Sequence, residues 1–137
     1  MYLLIVEESF DAAHFLLNYD GKCKNLHGHR WRIVLRIEEE ITDDVGMSIN
    51  FADLKKNLKN EVDYFDHCLI YQMGSLKQET INALEDEKFV LREVKFRPTA
   101  ENIAYYFFEQ MQNYGYCVES VSVYETPNNC AIYRKER

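Results

Sequence analysis

The sequence predicts an α+β domain, with helices packed on one face of an antiparallel sheet. Three observations carry that reading. The N-terminal third holds two long runs of period-two hydrophobicity. The middle holds two apolar stripes at helical spacing. The C-terminal stretch returns to alternation. The order ββαα and then ββ gives a four-stranded antiparallel sheet with two helices on one face.

Each element has its own justification. Residues 2–14 form the first strand, because Tyr2, Leu4, Val6, Phe10, Ala12 and His14 share a parity, with Glu8 the exception. Residues 15–26 are a loop that includes Lys22, Cys23 and Lys24. The second strand runs from about 27 to 40, with His27, His29, Trp31, Ile33, Leu35 and Ile37 on one face. Gly28 between the histidines suggests a close backbone approach or a kink. Residues 41–46 read as a turn. A helix follows over about 51–63, striped by Phe51, Leu54, Leu58 and Val62. Asn50 is its N-cap, and Asp53 sits in its first turn. Residues 65–69 form a short loop. Residues 75–96 begin polar and helical and end in a run that reads as extended, stopped by Pro98. Thr99 caps a second helix over about 100–112, striped by Ile103, Ala104, Phe107 and Met111 and closed by Gly115. Residues 117–126 and 130–135 are the third and fourth strands.

Composition bounds the function. A chain of 137 residues is one domain, 1–137, able to bury roughly two-thirds of its unfolded surface. Its net charge of −7 argues against a generic nucleic-acid or anionic-membrane binder. No apolar run is long enough to cross a membrane. The first eight residues lack a basic flank and a cleavage site, so they read as strand rather than signal peptide. Four irregularly spaced cysteines suggest free thiols and a cytoplasmic protein.

The chemistry gathers at Cys23-Lys24-Asn25-Leu26-His27-Gly28-His29. His27 and His29 share a strand face, close enough to bind one ion. Imidazole is the commonest metal ligand, and a catalytic zinc takes three protein ligands and keeps an open fourth position. His14 ends the neighbouring run and faces the other two if the strands pair. A lone histidine on an apolar face is ordinarily a hydrogen-bonded core residue. Beside the H-x-H pair, ligation is the better reading.

Three further features are weaker. Arg30, Arg32 and Arg36 line the opposite face of the second strand. They read first as a solvated face, and second as a surface for an anion or the lining of an assembly. Glu125 continues the apolar parity of Val121 and Val123. It either lies at a wet strand end, as its parity-mate Glu119 suggests, or receives two N–H donors of a flat heterocycle. In Asp66-His67 the carboxylate could orient the imidazole for proton transfer, though such a dipeptide alone means little.

Together the motifs resemble the 6-pyruvoyltetrahydropterin synthase / 6-carboxytetrahydropterin synthase family. They are Phe10-Asp11-Ala12-Ala13-His14, Cys23-x-x-x-His27-Gly28-His29, Asn50-Phe51-Ala52-Asp53-Leu54-Lys55, Asp66-His67, Pro98-Thr99-Ala100-Glu101-Asn102 and Glu125-Thr126, then Cys130-Ala131-Ile132-Tyr133-Arg134. The resemblance implies a tunnelling fold and a Zn2+ held by His14, His27 and His29. It implies Cys23 as base, Asp66 and His67 as relay, and Glu125 as pterin anchor that also joins the relay, with Thr99 and Glu101 near the pterin. It also implies a homo-oligomer, a hexamer of two stacked trimers with active sites at subunit interfaces.

Three residues separate the cysteine from H-G-H, as in the carboxy branch that serves queuosine synthesis. The implied reaction is conversion of 7,8-dihydroneopterin triphosphate to 6-carboxy-5,6,7,8-tetrahydropterin with release of acetaldehyde and triphosphate. The alternative is a 6-pyruvoyltetrahydropterin synthase. Outside enzymes, the choices are a non-catalytic pterin binder or a structural zinc module closed by Cys23. Asn50 departs from the aspartate of many relatives and reads as a cap exchange. Lys22, Lys24 and Arg97 are candidate triphosphate contacts.

Overall fold

The computed structural model of the chain describes residues 1–41, 46 and 49–136. Its elements are β1 (Tyr2–His14), a 3-10 turn (Lys22–Lys24), β2 (His27–Glu39), α1 (Phe51–Phe65), β3 (Cys68–Gln72), α2 (Gln78–Asp86), β4 (Leu91–Val94), α3 (Ala100–Asn113), β5 (Val118–Thr126) and β6 (Asn129–Arg134). Most of the predicted 41–46 turn lies outside the described residues.

The expected four strands are there and antiparallel, but among the described residues the sheet has six strands in the order β4-β3-β1-β2-β5-β6. The two extra strands correct the sequence reading. β3 pairs parallel to β1 at Ala12 and Ala13, and β4 runs parallel to β3. The 65–69 segment is thus partly strand, because Cys68 and Leu69 enter β3. A five-residue run has too little pattern to declare itself, and its register comes from a distant part of the chain. Among the described residues there are also three α-helices rather than two. The extra one, α2, lies where the 75–96 stretch begins polar and helical; it buries no residue and has no side-chain cap.

One face of the sheet makes the core. Phe10 of β1 stacks on Trp31 of β2 with ring centroids 6.0 Å apart. Trp31, Ile33, Leu35 and Ile37 are fully buried, as are Leu54 and Leu58 of α1 and Phe107 and Met111 of α3. The helices begin where expected. Asn50 accepts the Ala52 N–H at 2.7 Å, and Thr99 accepts the Asn102 N–H at 3.2 Å. Gly115 has φ +96°, the left-handed conformation that favours glycine just past a helix end.

The opposite face carries the arginines, and they are partnered. Arg30 meets Asp11 at 3.0 Å, Arg32 meets Glu7 at 3.0 Å, and Arg36 donates to Ser122 at 2.6 Å. Arg32 also lies over the Tyr124 ring at 3.9 Å. Cross-strand register explains this, since Asp11 is directly opposite Arg30.

Candidate metal centre and active site

Register alone brings the three histidines together. In the β1–β2 ladder His14 lies opposite His27, and the next pair on that face is Ala12 with His29. The small Ala12 side chain leaves room above it, and the ring centroids of His14, His27 and His29 lie 4.6–5.2 Å apart. Gly28 does not force this. A Cβ there would meet only the Ala12 carbonyl oxygen, at an ordinary 3.7 Å, so the expected close approach is absent.

Glu125, in β5, completes the group. One ligand atom from each of His14, His27, His29 and Glu125 lies within 4.8 Å of the others. His14 Nε2 is 3.1 Å from His27 Nε2, and Glu125 Oε1 is 3.2 Å from His14 Nε2 and 3.3 Å from His29 Nε2.

The far nitrogens decide what these contacts mean. His14 Nδ1 is 2.8 Å from the Pro98 carbonyl oxygen, and His27 Nδ1 is 2.7 Å from that of Asn25. A carbonyl only accepts, so in each ring Nδ1 carries a proton and donates. In neutral rings the two Nε2 lone pairs therefore face each other beside a carboxylate. Such a cluster needs a cation at its centre, either a proton on one ring or a metal ion.

The donor set fits a metal. Imidazole binds divalent zinc-like cations at about 2.0–2.1 Å, and a tetrahedron with such bonds has edges of about 3.3–3.4 Å. The separations of 3.1, 3.2 and 3.3 Å are close to those edges. Backbone carbonyls behind two of the rings fix tautomer and orientation, as metal-binding histidines require. Burial is the main influence on His29 and keeps its pKa below the ordinary histidine value, favouring the neutral ring. Glu125 has its pKa lowered, chiefly by its close contact with His14 Nε2, and so remains a carboxylate. Ionised carboxylate and neutral imidazoles are the ligating forms.

The other candidates fall into three groups. Cys23 sits half-buried in the 3-10 turn between exposed Lys22 and Lys24, and its carbonyl accepts the Leu16 N–H at 2.9 Å. Its thiol does not join the metal cluster, whose fourth member is Glu125. Thr99 caps α3 directly after Pro98, so it stands one residue from the carbonyl that anchors His14. Exposed Glu101 lies in the same first turn, and Arg97 donates to the Leu17 carbonyl at 2.7 Å.

Asp66 and His67 form a second centre. Asp66 Oδ1 is 3.0 Å from His67 Nδ1 and also accepts the Asp11 N–H at 3.0 Å. The Asp11 hydrogen bond is the largest influence holding the Asp66 carboxyl below the usual carboxylate range. His67 donates its own N–H to the Asp11 carbonyl at 2.6 Å and has φ +58°, uncommon for a residue other than glycine. The imidazole is exposed, and its groove is also lined by Asp11, His29 and Arg30. The carbonyls of Asn25 and Pro98 are the functional groups that sequence reasoning missed. Every residue has a carbonyl, so no residue type signals them.

Comparison with known proteins identifies the family. A family model described as 6-pyruvoyl tetrahydropterin synthase matches residues 3–136. The chain is 33% identical to a 6-carboxy-5,6,7,8-tetrahydropterin synthase of Haemophilus influenzae, over 98% of this chain and all of the relative. It is 34% identical to the protein of that name in Rickettsia bellii, over 87% and 90% of the two chains. Among solved structures, a 6-pyruvoyl tetrahydropterin synthase of Plasmodium falciparum superposes with a TM-score of 0.76 at 25% identity. That match covers 99% of this chain and 98% of the other.

Proposed function

The chain belongs to the 6-pyruvoyl tetrahydropterin synthase family, and on that premise we propose that it is a zinc-dependent lyase. It converts 7,8-dihydroneopterin triphosphate to 6-carboxy-5,6,7,8-tetrahydropterin, with release of acetaldehyde and triphosphate, the step that serves queuosine synthesis. The relatives named 6-carboxy-5,6,7,8-tetrahydropterin synthase support that product over the pyruvoyl one. The observation that carries the reading is the convergence of three imidazoles and one carboxylate within 4.8 Å.

His14, His27 and His29 would hold the ion. When bound, zinc supplies Lewis acidity to the substrate's side-chain oxygens and so acidifies the adjacent C–H. The remaining work belongs to side chains. Cys23, flanked by Lys22 and Lys24, serves as the base that takes the proton from carbon. His67, held at Nδ1 by Asp66, donates a proton. Glu125 would accept the pterin ring's N–H groups. Thr99 and Glu101 border the pterin, and Lys22, Lys24 and Arg97 face the triphosphate.

Assembly completes the site. β3 covers β1 only at Ala12 and Ala13, and Tyr2, Leu3 and Ile5 are exposed on the rest of that strand. Ile132 is exposed on β6, the opposite edge. Open edges with apolar side chains favour pairing with another copy, and closure around a ring abolishes them. The family's hexamer of two trimers, with sites at subunit interfaces, would satisfy both edges. The protein works in the cytoplasm, and among the described residues no helix is long and apolar enough to cross a membrane.

The test is product identification by mass spectrometry after zinc-loaded protein meets 7,8-dihydroneopterin triphosphate. The carboxy product with acetaldehyde is expected. A pyruvoyl product would assign the alternative, and no turnover would refute the enzyme. Light scattering on the same sample tests assembly, and a fully active monomer near 16.3 kDa would end that part.

A further inference from the structure

The Asp66–His67 pair has a neighbour that the proposed reaction does not use. A carboxylate oxygen of Asp11, one of Asp66 and a ring nitrogen of His67 lie within 4.8 Å of one another. Two carboxylates thus stand near one imidazole, and only Asp66 is bonded to it. Asp66 holds Nδ1 at 3.0 Å, while the Asp11 carboxylate is drawn to Arg30 at 3.0 Å. The backbone of Asp11 meanwhile clamps the same corner, giving its N–H to Asp66 and taking the N–H of His67.

We propose that Arg30 is a positioning residue for His67, acting by neutralising Asp11 so that Asp66 alone orients the ring. The inference rests on the role given to His67 above. The Arg30–Asp11 pair is exposed on both sides, with side-chain exposures of 70% and 45%. An exposed ion pair adds little to stability, so its effect falls on geometry. Without the guanidinium, the freed Asp11 carboxylate swings to His67 and draws the ring off Asp66.

The experiment is a double-mutant cycle with a structural readout. Arg30→Gln should lower kcat about tenfold, within the range expected when a catalytic group is misplaced. KM, metal content and Tm should stay close to those of the parent protein. Arg30→Lys should recover most of the loss. Asp11→Asn placed on top of Arg30→Gln should also recover it, because the competing charge is gone. Rising salt should narrow the Arg30→Gln deficit. In parallel, nitrogen NMR of the His67 ring should show the Nδ1 hydrogen bond lost in Arg30→Gln and restored in the double variant.

Wild-type kcat in Arg30→Gln, or a double variant no better than Arg30→Gln, overturns the proposal. If the parent protein does not turn over 7,8-dihydroneopterin triphosphate, the enzyme reading fails by itself. The NMR comparison still decides the role of Arg30, since an unchanged Nδ1 signal refutes it.

Discussion

Glu125→Gln separates the two jobs open to this carboxylate. Its Oε1 lies 3.2 and 3.3 Å from two imidazole nitrogens, where a fourth metal ligand would be. The proposed function instead gives it to the pterin ring. A hydrogen bond to a charged group is worth ~1.5–3 kcal/mol, against about 1 for a neutral one. A carboxamide accepts from one pterin N–H and turns its own NH2 against the second. One charged bond is therefore lost and the other weakened, a cost of roughly 2–4 kcal/mol. That is about 30-fold to several-hundred-fold in pterin affinity. Three histidines remain, two of them braced by the Pro98 and Asn25 carbonyls, so the metal should stay at one per chain. Metal content after dialysis, by elemental mass spectrometry, and pterin affinity, by fluorescence titration, give both numbers on one sample. Loss of metal with unchanged pterin affinity would make Glu125 a resident ligand and refute the anchor.

Other outcomes follow from the same geometry. Cys23→Ala should keep metal and pterin binding yet lose turnover, because the thiol lies outside the metal cluster; loss of metal in that variant would contradict this. Asp66 has a folded pKa below its ordinary value of 3.8. Its contribution to stability is therefore present above pH ~4 and lost as pH falls through the folded value. Urea midpoints should place Asp66→Asn below the parent at pH 7, with the gap closing in acid; a constant gap would argue against it. Leu58→Ala empties a fully buried position on α1, and urea unfolding should register a loss of about 2–5 kcal/mol.

The sequence determined a good deal of this protein by itself. Alternation in β1 and β2 put His14, His27 and His29 on apolar faces, and helical spacing set the buried stripes of α1 and α3. Asn50 and Thr99 announced their caps, because a cap is a local hydrogen bond between near neighbours. Such features repeat with the period of their own backbone, so a linear reading finds them. The tertiary structure decided the rest. β4 lies in the run that reads as extended, but β3 is too short to show a period, and the parallel pairing of both is set by partners elsewhere in the chain. The choice between Cys23 and Glu125 as the fourth member of the histidine cluster needed the β2–β5 ladder, since parity gives the face but not the distance. The carbonyls of Pro98 and Asn25 that fix two imidazoles, and the Arg30 contact that draws Asp11 from His67, are also invisible in one dimension. They depend on where separate segments cross, and long-range packing sets those crossings.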